Sequence, residues 1–237
     1  MIIDLKNILD CLDSVGVEAV VIEPSEDSTG TLVRGADKKR DIVVFDVVDG
    51  IVLTEYPIGI QSVKGLLSRL SLFDDDAVIE LEDDGEIVIN IKIKKGRKKA
   101  SYKCAEPEHL SVPKFVPGEL KVEEDKSIVL TKEYVSHLSH AIQSMSFTGS
   151  NEQSLSVKVD NHNATISIYD GEDDSFTDEL KGVGLEACEK SSWGVKPFQR
   201  VMKCSIEGRD QTSFTVNEHG VAVFTVGLID VIISPFA

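Results

Sequence analysis

The chain has 237 residues, 41% of them hydrophobic, which suits one large domain or two of ordinary size and is too apolar for a chain unfolded throughout. A formal net charge of −16 excludes a surface that coats nucleic acid generally, because a polyanion is repelled on average. Residues 1–6 show no basic start followed by an apolar run, and the apolar stretches 42–48 and 221–233 are too short or too interrupted to span a bilayer. Cys11, Cys104, Cys188 and Cys204 are widely spaced without a CxxC pair, so they read as free thiols in a reducing compartment, and a cytoplasmic location without membrane contact is expected.

Ile3, Leu5, Ile8, Leu9 and Leu12 recur at helical spacing, and Gly16 is placed to end that helix. Strands are expected at 17–22, 31–34, 42–48 and 51–56, the last two joined as a hairpin at Asp49-Gly50. A second helix fits 61–72, with Val63, Leu66, Leu67 and Leu70 as its apolar stripe. Alternating strands follow at 77–81, 86–94 and 98–104. Pro107, Pro113 and Pro117 then punctuate an extended connector.

Thr131 can cap a third helix, whose stripe is Tyr134, Val135, Leu138, Ala141, Ile142 and Met145. Residues 155–159 and 164–169 read as a hairpin around Asn161–Asn163, and 179–185 as a further strand. A fourth helix fits 196–204, with Phe198, Val201 and Met202 inward, before strands at 211–216, 221–226 and 228–233. The order of elements therefore repeats. An N-terminal domain at 1–105, a connector at 106–127 and a C-terminal domain at 128–237 are expected, each α+β with two helices and mostly antiparallel sheet.

Motifs for catalysis are missing: there is no dinucleotide fingerprint, phosphate loop or HExxH pair. His137 and His140 sit three apart on a helix without further ligands in view, and read as polar-face histidines. Trp193 reads as packing. The strongest local charge feature is the run 92–99, where a solvated sheet edge and a DNA contact explain the lysines equally well.

Residues 58–60, the helix LLSRLSLF at 66–73, DDDAVIELE at 74–82 and DGEIVI at 84–89 resemble a bacteriophage DNA polymerase sliding clamp. That is the trimeric processivity-factor kind, related in fold to the eukaryotic and archaeal clamps. The likeness covers most of the chain as architecture, more loosely in 134–145, 154–170 and 221–236. It implies repeated β-α-β-β-β units, helices lining a ring channel and antiparallel sheets outside. It further implies a noncatalytic processivity factor, without cofactor or metal, that encircles duplex DNA as a homotrimer and tethers the replicative polymerase after a clamp loader has placed it. Carried onto this chain, the channel nominates Lys6, Lys64, Arg69, Lys132, Lys196, Arg200 and Lys203, with Lys95, Arg97, Lys98 and Lys99 as additional DNA contacts. Contacts to phosphate alone permit sliding, since they are the same at every position.

The resemblance also implies an outer groove for partner peptides. Leu110, Val112 and Phe115 with Ile232, Ile233, Pro235 and Phe236 are the expected lining, because so apolar a tail must be covered or remain adhesive. The alternative is a noncatalytic phage structural or host-interaction protein that assembles through sheet edges and never surrounds DNA.

Overall fold

The computed structural model describes residues 2–114, 126–145, 153–169, 175–217 and 219–235. The chain divides into two compact units, Met1–Val116 with Gly227–Ile229, and Pro117–Val226 with Asp230–Ala237.

The first unit opens with α1 (Ile2–Val15), whose Ile2, Leu5, Ile8, Leu9, Leu12 and Val15 are all buried. Gly16 closes it in the left-handed region at φ 84°. Its N–H donates to Asp13 O at 3.0 Å and that of Val17 to Leu12 O at 2.9 Å, so two carbonyls orphaned by the helix end are satisfied. Strands β1 (Ala19–Pro24), β2 (Gly30–Ala36), β3 (Ile42–Asp49) and β4 (Ile58–Ile60) follow. Then come α2 (Val63–Leu70), β5 (Val78–Asp83), β6 (Val88–Lys95) and β7 (Lys98–Lys103). The sheet order is β5-β6-β4-β1-β2-β3, with β7 against β6; α1 and α2 pack together. The β4–β6 pairing is parallel, and the others in this unit are antiparallel.

Ile51–Tyr56 departs from the expected hairpin, since these residues form no strand. Hydroxyls take the backbone groups that a ladder would have used. Thr31 Oγ1 donates to Ile51 O at 2.5 Å and accepts from Leu53 N–H, while Thr54 Oγ1 donates to Tyr56 O and accepts from Tyr56 N–H. Pro57 adds a position without a donor. The second helix is shorter than expected because Ser62 caps it, its side chain accepting from Gly65 N–H at 3.0 Å.

A single 3₁₀ turn, Pro107–His109, begins the expected connector, and residues 115–125 lie outside the described ones. The second unit runs β8 (Ile128–Thr131), α3 (Lys132–Ser144), β9 (Ser154–Asp160), β10 (Asn163–Tyr169), β11 (Ser175–Lys181) and β12 (Cys188–Gly194). It ends with α4 (Val195–Ser205), β13 (Gln211–Val216), β14 (Ala222–Val226) and β15 (Ile229–Ile233). Thr131 caps α3 by accepting from Tyr134 N–H at 3.2 Å. Strands order as β15-β14-β13-β8 and β11-β10-β9-β12. Trp193, Phe198, Phe214 and Phe224 are fully buried together, and the indole N–H donates to Gly220 O at 3.0 Å, so Trp193 is a packing residue. The strand expected at 179–185 ends at Lys181, because Gly182 turns the chain at φ 69°.

The architecture is α+β, a β-α-β-β-β order repeated. It occurs as β4-α2-β5-β6-β7, β8-α3-β9-β10-β11 and β12-α4-β13-β14-β15, with α1-β1-β2-β3 as a copy whose leading strand is missing among the described residues. Among the described residues, no helix is long and apolar enough to cross a membrane.

Candidate nucleic-acid interface

A helix that buries one face on a sheet leaves the other face to decide what it meets. On α4 that face carries Lys196, Arg200 and Lys203, spaced four and three apart and all exposed, opposite buried Phe198, Val201 and Met202. Lys132 is exposed in the first turn of α3, which packs against α4. In the first unit, α2 exposes Lys64 and Arg69. Among the described residues, Lys64, Lys132, Lys196 and Lys203 form no ion pair, so their charge is available to a phosphate. Arg69 is held in place: its Nη1 donates to Gly65 O at 2.6 Å, and the guanidinium stands 5.3 Å from the centre of the Tyr102 ring.

Lys6 is placed differently. Its Nζ donates to Phe73 O at 3.1 Å and Asp75 Oδ1 at 3.0 Å, and only 19% of its side chain is exposed. The exposed face of α1 holds Ile3, Asn7, Asp10 and Asp13 instead. This helix end is therefore stapled to the turn after α2, and its outward charge is acidic.

Most of the cationic run on β6 is also engaged. Lys92 pairs with Glu82 and Lys94 with Glu80, each diagonal to the register in which Glu80 faces Lys92. Lys95 binds Asp74 and Asp76, which raises its pKa and lowers that of Asp74. Arg97, Lys98 and Lys99 remain exposed around the β6–β7 turn, with no ion pair among the described residues.

His137 and His140 are both exposed, and the His137 ring lies 5.7 Å from that of Phe176 on β11. No cluster able to hold a metal occurs among the described residues. None of the four cysteines forms a disulfide.

The expected peptide groove does not survive at Ile232 and Ile233. They lie on β15 with 5% and 0% exposure, because a strand buried on both faces reads as a continuous apolar run, just as an uncovered tail does. Pro235 is half-buried, while Phe115 and Phe236 lie outside the described residues. Leu110 and Val112 are half-exposed and line a cleft of ≈ 860 Å³ in the first unit, together with residues near Pro57 and the β5–β6 turn. No local pattern signals that cleft, since its walls come from segments far apart in the chain.

No protein-family model matches the chain, and no curated protein matches it by sequence. Solved structures do match. The PCNA of A. fulgidus bound by the C-terminal region of FEN-1 superposes with a TM-score of 0.63 at 15% identity, covering 98% of this chain and 95% of that one. The chain has the sliding-clamp fold. The PCNA2–PCNA3 complex from Sulfolobus tokodaii gives 0.57 at 15% identity, covering 97% and 94%. A protein assigned as a DNA polymerase III beta subunit, from Eubacterium rectale, gives 0.68 at 14% identity over 98% of this chain; the chain spans 64% of that protein's length.

Proposed function

We propose that this protein is a noncatalytic DNA sliding clamp of the trimeric, phage-type kind. In this reading three copies close around duplex DNA and hold a replicative polymerase on it, after delivery by a clamp loader. The observation that carries it is the exposed stripe Lys196, Arg200 and Lys203 on α4, with Lys132 on α3 and Lys64 on α2, in a chain of net charge −16. A surface acidic overall rejects DNA from outside, while cations gathered on helices attract it where those helices face a channel. Domains at 1–105 and 128–237, joined by 106–127, would supply six domains of one architecture to a ring of three. The coverage of 95% of an archaeal PCNA, against 64% of a beta subunit, supports this size class.

Ring closure needs a head-to-tail contact, and strand edges provide it. The outer edge of β7 presents Lys98, Lys99 and Lys103, while β11 carries Asp178 and Glu179 on an edge paired only to β10. Pairing β7 of one copy with β11 of the next joins opposite charges and repeats around a three-fold axis.

The test uses linear duplex DNA whose ends are blocked by bulky protein either before or after the clamp is added. Sedimentation should give a trimer, and the clamp should stay on DNA blocked afterwards while failing to enter DNA blocked beforehand. A monomer, or binding indifferent to the order of blocking, would overturn the ring and favour a protein that only assembles through its edges.

A further inference from the structure

Helices α1 and α4 occupy the same place in two copies of the repeat, and their buried stripes align position for position. Ile2, Leu5, Ile8, Leu9 and Leu12 of α1 fall on Val195, Phe198, Val201, Met202 and Ser205 of α4, all of them buried. The outward positions then correspond as well. Where α4 exposes Lys196, Arg200 and Lys203, α1 exposes Ile3, Asn7 and Asp10. A face that is cationic in one copy is apolar, neutral and acidic in the other.

Two further features keep positive charge off α1. Its one cation, Lys6, donates to Phe73 O at 3.1 Å and to Asp75 Oδ1 at 3.0 Å. Its last turn holds Asp13 and no basic residue, although the negative end of a helix dipole favours a cation there, and the last turn of α4 carries Lys203. Among the described residues, Asp10 and Asp13 form no ion pair, so nothing in their own unit offsets that unfavourable placement. Lys64 and Arg69 on α2 are thus balanced by two exposed carboxylates on the helix packed against it. In the second unit Lys132, Lys196, Arg200 and Lys203 outnumber Glu133 and Glu207, the exposed acids beside them.

Resting on the sliding-clamp reading, we propose that α1 is the helix from which DNA is held off. Lys64, Arg69, Lys132 and the α4 stripe meet phosphates, while Asp10 and Asp13 repel them and leave a gap in the grip. Each phosphate contact adds to affinity and must be exchanged as the protein advances, so a lining cationic on every helix holds DNA tighter and moves more slowly. The gap is local. At physiological ionic strength an exposed charge is screened over about 8 Å, so these carboxylates act on a strand passing close to α1 and leave the α4 cations their attraction.

The test uses the full chain and duplex DNA. Asp10→Lys/Asp13→Lys changes two exposed positions and agrees with the helix dipole, so the fold should be kept. The slope of log affinity against log salt should steepen by about 2, close to 0.9 for each phosphate newly neutralised, and diffusion along duplex DNA blocked at both ends should slow several-fold. Asp10→Asn/Asp13→Asn removes the repulsion without adding cations, and should raise affinity at low salt with little change of slope. Glu86→Lys/Glu108→Lys makes the same change of net charge at exposed positions away from the four α-helices, and should alter neither readout. An unchanged slope and diffusion in the lysine variant, where the unaltered protein still stays on DNA blocked after its addition, overturns the proposal and leaves the ring standing. An equal effect of Glu86→Lys/Glu108→Lys overturns it as well, by reducing it to net charge. If circular dichroism shows the lysine variant misfolded, the asparagine variant decides, and an unchanged low-salt affinity there overturns the proposal. Indifference of the unaltered protein to the order of blocking removes the ring, and this proposal with it.

Discussion

The guanidinium of Arg69 lies 5.3 Å from the centre of the Tyr102 ring, and the Tyr102 hydroxyl accepts the N–H of Ser62 at 3.0 Å, the residue that caps the helix bearing Arg69. One tyrosine of β7 thus holds both ends of α2. Tyr102→Phe keeps the ring under Arg69 but leaves the Ser62 N–H unpaired, and should cost about 1–2 kcal/mol in urea denaturation. Tyr102→Ala also removes a nearly buried ring and should cost about 3–5 kcal/mol. Equal losses in the two variants would show that the hydroxyl alone matters.

Charge reversal along α4 should separate binding from folding. The triple variant Lys196→Glu/Arg200→Glu/Lys203→Glu changes exposed positions, each expected to shift stability by less than about 0.5 kcal/mol. If the stripe meets phosphates, the slope of log affinity against log salt should fall by about 3, close to 0.9 for each phosphate no longer neutralised. The same measurement on Lys6→Gln should leave the slope nearly unchanged, since that ammonium is tied to Asp75.

Gly59 is required by a close approach of backbone. A Cβ there would stand 2.2 Å from Ala105 O, in the bridge where Ala105 N–H donates to Gly59 O at 2.8 Å. Gly59→Ala should cost about 1–3 kcal/mol, as overpacking against a backbone atom does, and should be visible as a lower urea midpoint. Gly50→Ala meets no neighbouring atom, and any loss there reports only its positive φ.

Burial pushes the Cys104 thiol up to about 12 from its ordinary 9.0. The folded state thus holds the proton that the unfolded chain releases. This contribution to stability is complete below pH 9.0 and is lost as pH rises toward about 12. Alkylation of Cys104 by iodoacetamide near neutral pH should be far slower in the folded chain than in urea, because the thiolate is the nucleophile. Cys104→Ser should flatten the decline in stability on the alkaline side. Rapid folded-state alkylation would contradict this account.

The four helices were legible because each buries one stripe at a spacing that few other structures share: Ile8, Leu9 and Leu12 in α1, and Phe198, Val201 and Met202 in α4. β12 was not. Its run CEKSSWG lacks alternation, and it becomes a strand by pairing with β9 across an irregularity between Cys188 and Ser191. The segment 51–56 failed the opposite way, since its strand-forming residues lost their backbone partners to Thr31 and Thr54. Among the cations, helical spacing set Lys196, Arg200 and Lys203 off the apolar face of α4, and the resemblance nominated them together with Lys6. Neither could show that Lys6 would be met by a carboxylate in a turn far along the chain, or that Glu80 and Glu82 would meet Lys94 and Lys92. Helical and strand periods are written locally, whereas an ion pair depends on which distant segment the fold brings alongside.

The Ala105–Gly59 bridge has a mechanical meaning as well. Where the chain leaves β7, it is bonded back to β4, which is three residues long and leads directly into the capped start of α2. A pull on the chain beyond residue 105 would therefore load β4 in shear between β1 and β6, instead of peeling β7 away one bond at a time. Tension arriving from that side would be felt first at Ser62 and the helix it caps, the same helix that exposes Lys64 and Arg69.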